Sequence, residues 1–331
     1  MTLTALRDID LAPLLAANLP RVTPELPAEV FLQASPRAPR TVRTTDRMIA
    51  QQAVHKEPEL PELGAVLDKY RLEAVLGIGG FGVVYRARHM LLDTHVAIKL
   101  MRPSVAKLRP MLPRLLREEA RFAARIDHKH VVRVLDVESS ELTYIVMEYI
   151  DGPDLAVMIK RRGALPSKMV VRIIRHVTEA LTAGLEENVI HRDVKPSNIM
   201  LTRDGVTKLT DFGLARSSSS AIDDLGARGV VGTAGYMSPE QLQRPNDVDF
   251  RTDIYSLGVT AYQALAGRLP FTDSAVQRAV DTHAFEPPPP LPPNIHAGLR
   301  DLVMWMLAAD RDRRPSSYDA LDAAARALVR P

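Results

Sequence analysis

His191-Arg192-Asp193-Val194-Lys195-Pro196-Ser197-Asn198-Ile199-Met200, followed at a short interval by Asp211-Phe212-Gly213, is the stretch that decides how this chain is read. Between the two blocks, the run from Ile199 to Thr210 contains two short β-prone segments that meet at Asp204-Gly205, the strongest local hairpin signal. A two-residue turn centred on that pair places Asn198 opposite Asp211. Two oxygen-bearing side chains then converge at the open end of one hairpin, a geometry suited to a hard cation such as Mg²⁺, which prefers oxygen ligands and also binds phosphate. Asp193 lies on the same approach. Taken alone, Asp211-Phe212-Gly213 reads equally well as a loop that only caps and turns; the two blocks at this spacing do not.

Together the blocks resemble the catalytic and magnesium loops of eukaryotic-like Ser/Thr protein kinases, in the form that bacteria carry, whose motifs read H-R-D-x-x-x-x-N and D-F-G. The resemblance implies an α+β, bilobal protein kinase fold, with a small antiparallel β-sheet lobe carrying one key helix and a larger, mainly helical lobe. The small lobe is expected over residues 66–148 and the large lobe over 149–331. Before them, residues 1–65 scatter Pro, Arg and Thr without a sustained period, as in Pro36-Arg37-Ala38-Pro39-Arg40, and read as a flexible extension. Leu3, Leu6, Ile9, Leu11, Leu14 and Leu15 also fit one face of a short helix, which leaves a docking segment as the other reading.

Upstream of the catalytic block, Arg71 to Leu76 predicts a strand, Gly77-Ile78-Gly79-Gly80-Phe81-Gly82 a turn, and Val83 to Arg88 a returning strand. A lone glycine motif is weak evidence, but a strand rather than a helix follows it, so a dinucleotide fold is disfavoured. Thr94 to Leu100 is a third strand, apolar except at Lys99. In the next helix Leu112, Leu115, Leu116, Phe122, Ala123 and Ile126 form an apolar stripe on which Glu119 falls, while Glu118 sits among Arg114, Arg121 and Arg125. A carboxylate facing a core needs a partner, so Lys99 and Glu119 are expected to pair. Val131–Glu138 and Leu142–Met147 predict two more strands, and Ser167–Glu186 an amphipathic helix that delivers the chain to His191.

Downstream, Gly232-Thr233-Ala234-Gly235-Tyr236-Met237-Ser238-Pro239-Glu240 resembles the family's substrate-docking loop and A-P-E motif, with Ser238 in place of Ala. Thr252-Asp253 opens a run, Ile254 to Leu265, that is apolar nearly all round and so predicts a buried helix. Asp253 reads as its N-cap, and in the family this aspartate also holds the catalytic-loop backbone. Pro287 to Pro293 predicts an extended connector or a polyproline docking site. Arg311-Asp312-Arg313-Arg314-Pro315 resembles the closing motif, which pairs Arg314 with Glu240.

Each remaining role follows from the resemblance. Lys99, braced by Glu119, holds the α- and β-phosphates of ATP; Asn198 and Asp211 carry Mg²⁺; Asp193 receives or orients the proton of the acceptor hydroxyl. Lys195 neutralises the γ-phosphate, and Thr233 bonds the Asp193–Lys195 pair, which favours Ser/Thr over Tyr. ATP is expected between Leu76, Gly77, Ile78, Gly79, Gly80, Phe81, Gly82, Val83, Val84 and Ala97 on one side and Met200 on the other. Met147 is the gatekeeper, and the backbone of Glu148 and Ile150 meets adenine. The implied activity is phosphoryl transfer to protein Ser/Thr hydroxyls, with autophosphorylation; the alternative is a nucleotide-binding pseudokinase scaffold. Protein substrates are the expected partners, and the family resemblance adds a homodimer through the small lobe.

Regulation departs from the pattern, because Leu225 to Val231 holds no Ser or Thr for the usual activating phosphate. Either Ser217 to Ser220 are autophosphorylated, or Asp223 and Asp224 supply the charge. The 331 residues suffice for one large domain or two lobes, and a net charge of +3 gives no reason to expect nucleic acid. Zero cysteines remove disulfides and thiolate chemistry, in keeping with a cytoplasmic protein. No apolar run approaches the roughly 18 residues of a membrane span.

Overall fold

Alternation along Thr94–Met101 sets the small lobe. Val96, Ile98 and Leu100 enter one apolar cluster, while Ala97 and Met101 enter another on the opposite face, where Lys99 also projects. The computed structural model describes residues 60–80, 82–139, 142–212, 234–282 and 284–328. Its first sheet comprises β1 (Val66–Leu67), β2 (Tyr70–Ile78), β3 (Gly82–His89), β4 (Thr94–Met101), β5 (Val134–Ser139) and β6 (Thr143–Glu148), antiparallel in the order β1-β2-β3-β4-β6-β5. One face closes on itself through Tyr70, Leu72, Tyr85 and Tyr144. The other face is covered by helix α2 (Leu112–Ala123), which buries Leu112, Leu116, Glu119 and Ala120 and is preceded by the short helix α1 (Pro103–Leu108).

Three expectations for this lobe shift. Phe122 belongs to the exposed side of α2, where Arg125 lies over its ring, rather than to the apolar stripe. The fifth strand starts at Val134, because Val131 and Val132 pair instead with Leu209 of the large lobe. Contacts also begin ahead of residue 66: the Tyr85 hydroxyl donates to Pro61 O at 3.3 Å, and Leu60 packs against the sheet cluster.

The large lobe is built on α4 (Ser167–Glu186) and α6 (Arg251–Ala266), flanked by α3 (Leu155–Arg162), α5 (Pro239–Gln243), α7 (Asp273–Thr282), α8 (Ala297–Met306) and α9 (Tyr318–Ala327). Helix α4 has the predicted limits and buries Val170, Ile174, Val177 and Leu181, although Leu185 is exposed. Helix α6 is buried almost all round, as its composition requires. Residues 287–292 take neither helix nor strand, as expected of a proline-rich connector. Among the described residues no helix is long and apolar enough to cross a membrane.

The second sheet is the hairpin of β7 (Ile199–Leu201) and β8 (Thr207–Leu209). Its register corrects the two-residue turn. Ile199 pairs with Leu209 and Thr202 N donates to Val206 O, so Arg203, Asp204 and Gly205 form a three-residue loop with Gly205 left-handed at φ 79°. A glycine in that position ends the common three-residue hairpin. Asn198 therefore lies opposite Thr210, and Thr210 N donates to Asn198 O at 2.9 Å.

Ser238 is more than a mild exchange for alanine. It is fully buried, caps α5 by accepting from Gln241 N, and shares a hydrogen bond with the Thr252 hydroxyl at 2.5 Å. Beside it, Arg314 Nη1 and Nη2 reach the Glu240 carboxylate at 2.6 and 2.8 Å, as expected. The guanidinium also donates to the carbonyls of Ala308, Ala309 and Arg251 and lies 4.8 Å from the Tyr255 ring centroid. Removing one partner leaves an uncompensated buried charge. Arg314→Leu should cost about 3–5 kcal/mol in urea denaturation, and Arg314→Lys, which cannot reproduce the fork, should recover little of it.

Candidate active site

A tight bend at the end of α4 presents the catalytic block. Arg192 takes φ 65°, a conformation that costs a residue with a β-carbon of order 1–3 kcal/mol, so the surroundings must enforce it. Asp253 does so from α6. Its fully buried carboxylate accepts from His191 N at 2.8 Å and Arg192 N at 2.7 Å, and the Tyr318 hydroxyl donates to it at 3.3 Å. Burial raises the Asp253 carboxyl, against the pull of His191 and these donors. Asp253 is the third residue of α6 rather than its N-cap, a position held by Phe250, so of its two expected roles only the loop-holding one is present.

Beyond the bend the polar side chains converge. Lys195 Nζ donates to Asp193 Oδ2 at 2.7 Å. Asn198 Nδ2 donates to Asp193 O at 2.8 Å and to its Oδ2 at 3.1 Å, so the oxygen end of the amide is the end left for a cation. His191 is fully buried, donates from Nε2 to Thr210 O at 2.8 Å, and meets the Phe212 ring edge-to-face at 4.8 Å. Phe212 fits there because Gly184 has no side chain; a β-carbon at that position would fall 2.5 Å from the ring.

Lys99 Nζ lies 2.8 Å from Asp211 Oδ2, a contact the sequence reading did not anticipate. Glu119 stays on the buried face of α2, 5% exposed. Asp211 adopts φ 65°, and its carboxylate meets the lysine where β4 borders the cleft. Burial works to raise the Asp211 carboxyl, but Lys99, aided by His191 and Lys195, outweighs it and holds the group below the usual carboxylate range.

Val84, Ala97, Met147, Ile150 and Met200 meet in one apolar cluster that spans both lobes. Gly79 N donates to Gly82 O at 2.9 Å, closing the glycine turn. The Glu148 N–H is committed to Arg133 O at 3.0 Å, and the Ile150 carbonyl accepts from Gly152 N at 3.0 Å. Phe81, Gly213, Ser217 to Ser220, Asp223, Asp224 and Thr233 lie outside the described residues, as does the extension up to residue 59.

Three features escaped the sequence reading. Lys208 Nζ reaches the Glu148 carboxylate at 2.7 Å, and that carboxylate also accepts from Arg133 N at 2.8 Å, tying the link between the lobes to the strand before Asp211. Under the same strand His130 and His176 stack at 3.9 Å, and both bond to the Thr207 backbone. Burial holds His176 down at about 3 and lowers His130 as well. Gln241 reaches Arg192 O at 2.8 Å. Only the alternation around Lys208 hinted at any of these.

Magnesium fits the donor set. No group of three or more His, Asp or Glu side chains able to hold a metal occurs among the described residues, but Mg²⁺ ordinarily takes one or two protein oxygens together with phosphates and water. Asp211 and Asn198 supply such oxygens beside Lys99 and Asp193.

Comparison with known proteins places the chain in a family. The family profile described as "Protein kinase domain" matches residues 70–324. The chain is 38% identical over 274 residues to the serine/threonine-protein kinase PknA of Corynebacterium glutamicum, covering 80% of this chain and 57% of that one. It is 38% identical over 260 residues to PknB of Mycobacterium tuberculosis, covering 75% and 41%. The chain thus spans about half the length of the curated relatives it matches. The crystal structure of the M. tuberculosis PknI kinase domain superposes with a TM-score of 0.64 at 28% identity, covering 81% of this chain and 99% of that one.

The Lys99–Asp211 pair has a defined pH signature. A carboxylate with a depressed folded value adds stability above its unfolded value of about 3.9 and loses it as pH falls through the folded one. The stability gap between wild type and Asp211→Asn should therefore be widest near neutrality and shrink below about pH 4, as read from urea midpoints across pH.

Proposed function

The chain belongs to the protein kinase domain family, and from that premise we propose that it transfers the γ-phosphate of ATP to Ser or Thr hydroxyls of proteins, itself included. The observation that carries this reading is the convergence of Asp193, Lys195 and Asn198 beside the Lys99–Asp211 pair. Phosphoryl transfer demands positioning and charge neutralisation more than covalent chemistry, and this cluster supplies both.

The residues divide the work by location. The apolar surface of Leu76, Val84, Ala97, Met147 and Met200 receives the adenine, with the Glu148 carbonyl and the Ile150 N–H as its backbone partners. The turn from Gly77 to Val83 covers the phosphates. Lys99 neutralises the α- and β-phosphates, and Asp211 and the Asn198 oxygen would hold Mg²⁺, which when bound would offset phosphate charge. Glu119, buried on α2, is assigned the role of bracing Lys99, whose ammonium has donors beyond the one directed at Asp211. Asp193 orients the acceptor hydroxyl and takes its proton from the oxygen. Lys195, already on Asp193 Oδ2 at 2.7 Å, balances charge on the transferring group.

The acceptor is a protein because the segment after the catalytic loop is built as a seat. Ala234–Tyr236 forms a 3₁₀ turn whose Tyr236 carbonyl accepts from the Ser256 hydroxyl, and its hydroxyl donates to Gln263 at 2.6 Å. Thr233, which lies outside the described residues, is assigned by family resemblance to bond the Asp193–Lys195 pair, which favours Ser/Thr. Leu91 and Leu92, 83% and 68% exposed at the β3–β4 turn, give the small lobe an apolar surface for a homodimer. A protein without cysteine suits a reducing cytoplasm, the compartment we assign.

Incubation with Mg²⁺ and ATP followed by phosphosite mapping should find phosphate on the protein, within Ser217 to Ser220 or the first 59 residues. Asp193→Asn should lower the rate by about 10²–10⁴-fold with nucleotide binding retained. Unmodified wild-type protein that still binds ATP would replace this reading by a nucleotide-binding scaffold.

A further inference from the structure

Gln241 is buried, 7% exposed, and uses both ends of its amide. Its Oε1 accepts from Ser238 N at 3.0 Å, which closes a capping box at the start of α5. Its Nε2 donates to Arg192 O at 2.8 Å. A carboxylate could only accept and an aliphatic chain could do neither, so the position calls for an amide of this length.

The Arg192 carbonyl matters because of what shares its plane. The peptide unit is rigid, so Arg192 O, Asp193 N and the Asp193 Cα move as one body. Gln241 holds the oxygen edge of that plane, and Asp193 N donates to His191 Nδ1 at 3.2 Å on the other edge. The preceding peptide is fixed separately, through Arg192 N on Asp253 Oδ1 at 2.7 Å. Asp253 therefore sets the entry to the bend, while Gln241 sets its exit, from which the Asp193 carboxylate projects. Gln241 is anchored to Ser238, which directly follows the turn at Ala234–Tyr236 and Met237.

We propose that Gln241 is a positioning residue: it fixes the Arg192–Asp193 peptide plane and makes the aim of the Asp193 carboxylate depend on how the segment that seats the protein acceptor lies. This inference rests on the phosphotransfer reading above. Its consequence is an acceptor-side control of catalysis that leaves nucleotide binding to the opposite wall of the cleft.

Two substitutions separate this role from a merely structural one. Gln241→Glu keeps the acceptor for Ser238 N, and so the cap, but sets a carboxylate oxygen against the Arg192 carbonyl. Gln241→Leu removes both bonds at similar volume. The full chain is assayed with Mg²⁺, ATP and dephosphorylated casein as acceptor, with KM for ATP, ATP affinity and thermal midpoint measured alongside. Gln241→Glu should lose about 10- to 100-fold in kcat, the scale of a small misplacement of a reacting group. Its KM and affinity for ATP should stay within about twofold of wild type, which marks a loss confined to the chemical step. Gln241→Leu should show the same kcat loss with a lower thermal midpoint. Wild-type kcat in Gln241→Glu would overturn the proposal, as would a kcat loss matched by an equal loss of ATP affinity. Wild-type protein that binds ATP but transfers no phosphate would instead remove the kinase reading, and this inference with it.

Discussion

A carboxylate with no access to water accepts two consecutive backbone N–H groups from a loop in another part of the chain. That contact, between Asp253 of α6 and the amides of His191 and Arg192, is what the catalytic loop depends on. A buried carboxylate is costly unless its lone pairs are used, and a left-handed non-glycine residue is costly unless something holds it. Each unfavourable feature here is compensated by the other. The Tyr318 hydroxyl completes the set, so α9 at the far end of the sequence also fixes the bend.

From that bend the arrangement propagates outward in polar steps. Arg192 O is held by Gln241, Asp193 by Asn198 and Lys195, and His191 by the Thr210 carbonyl just ahead of Asp211. The Arg314–Glu240 fork plays a matching part behind the docking segment, where it ties α5 to the turn that precedes α9. Apolar packing supplies the platform for these contacts: α4 and α6 lie side by side in one core, and Phe212 sits against Gly184 and His191. Toward the cleft the packing gives way to charge, since Lys99, Asp193, Lys195 and Asp211 all keep about a fifth to a quarter of their side chains open to solvent.

Local pattern made much of this legible. An apolar run broken only at Lys99 gave its strand, and helical periodicity gave α4 its limits and Glu119 its buried position. The same reasoning paired Glu118 with Arg114, 3.1 Å apart on one helix. It did not reach partners distant in sequence: the 2.8 Å contact of Lys99 with Asp211 follows from the folded backbone, with Asp211 at φ 65°. The hairpin turn failed for a smaller reason: Asp-Gly pairs serve two-residue and three-residue loops alike, and the register of Ile199 with Leu209 decides.

By itself, then, the sequence determined the elements, the bilobal order and the residues that carry charge into the cleft, because residue type, spacing and period act over a few positions at a time. The tertiary structure alone decided which polar groups meet: Lys99 with Asp211, Lys208 with Glu148, and Gln241 with the Arg192 carbonyl. Those contacts join residues 49 to 112 positions apart, from |211 − 99|, |208 − 148| and |241 − 192|. Nothing in local periodicity fixes such pairings. They follow from where packing brings the backbones and from the cost of leaving a desolvated charge or amide without its partner.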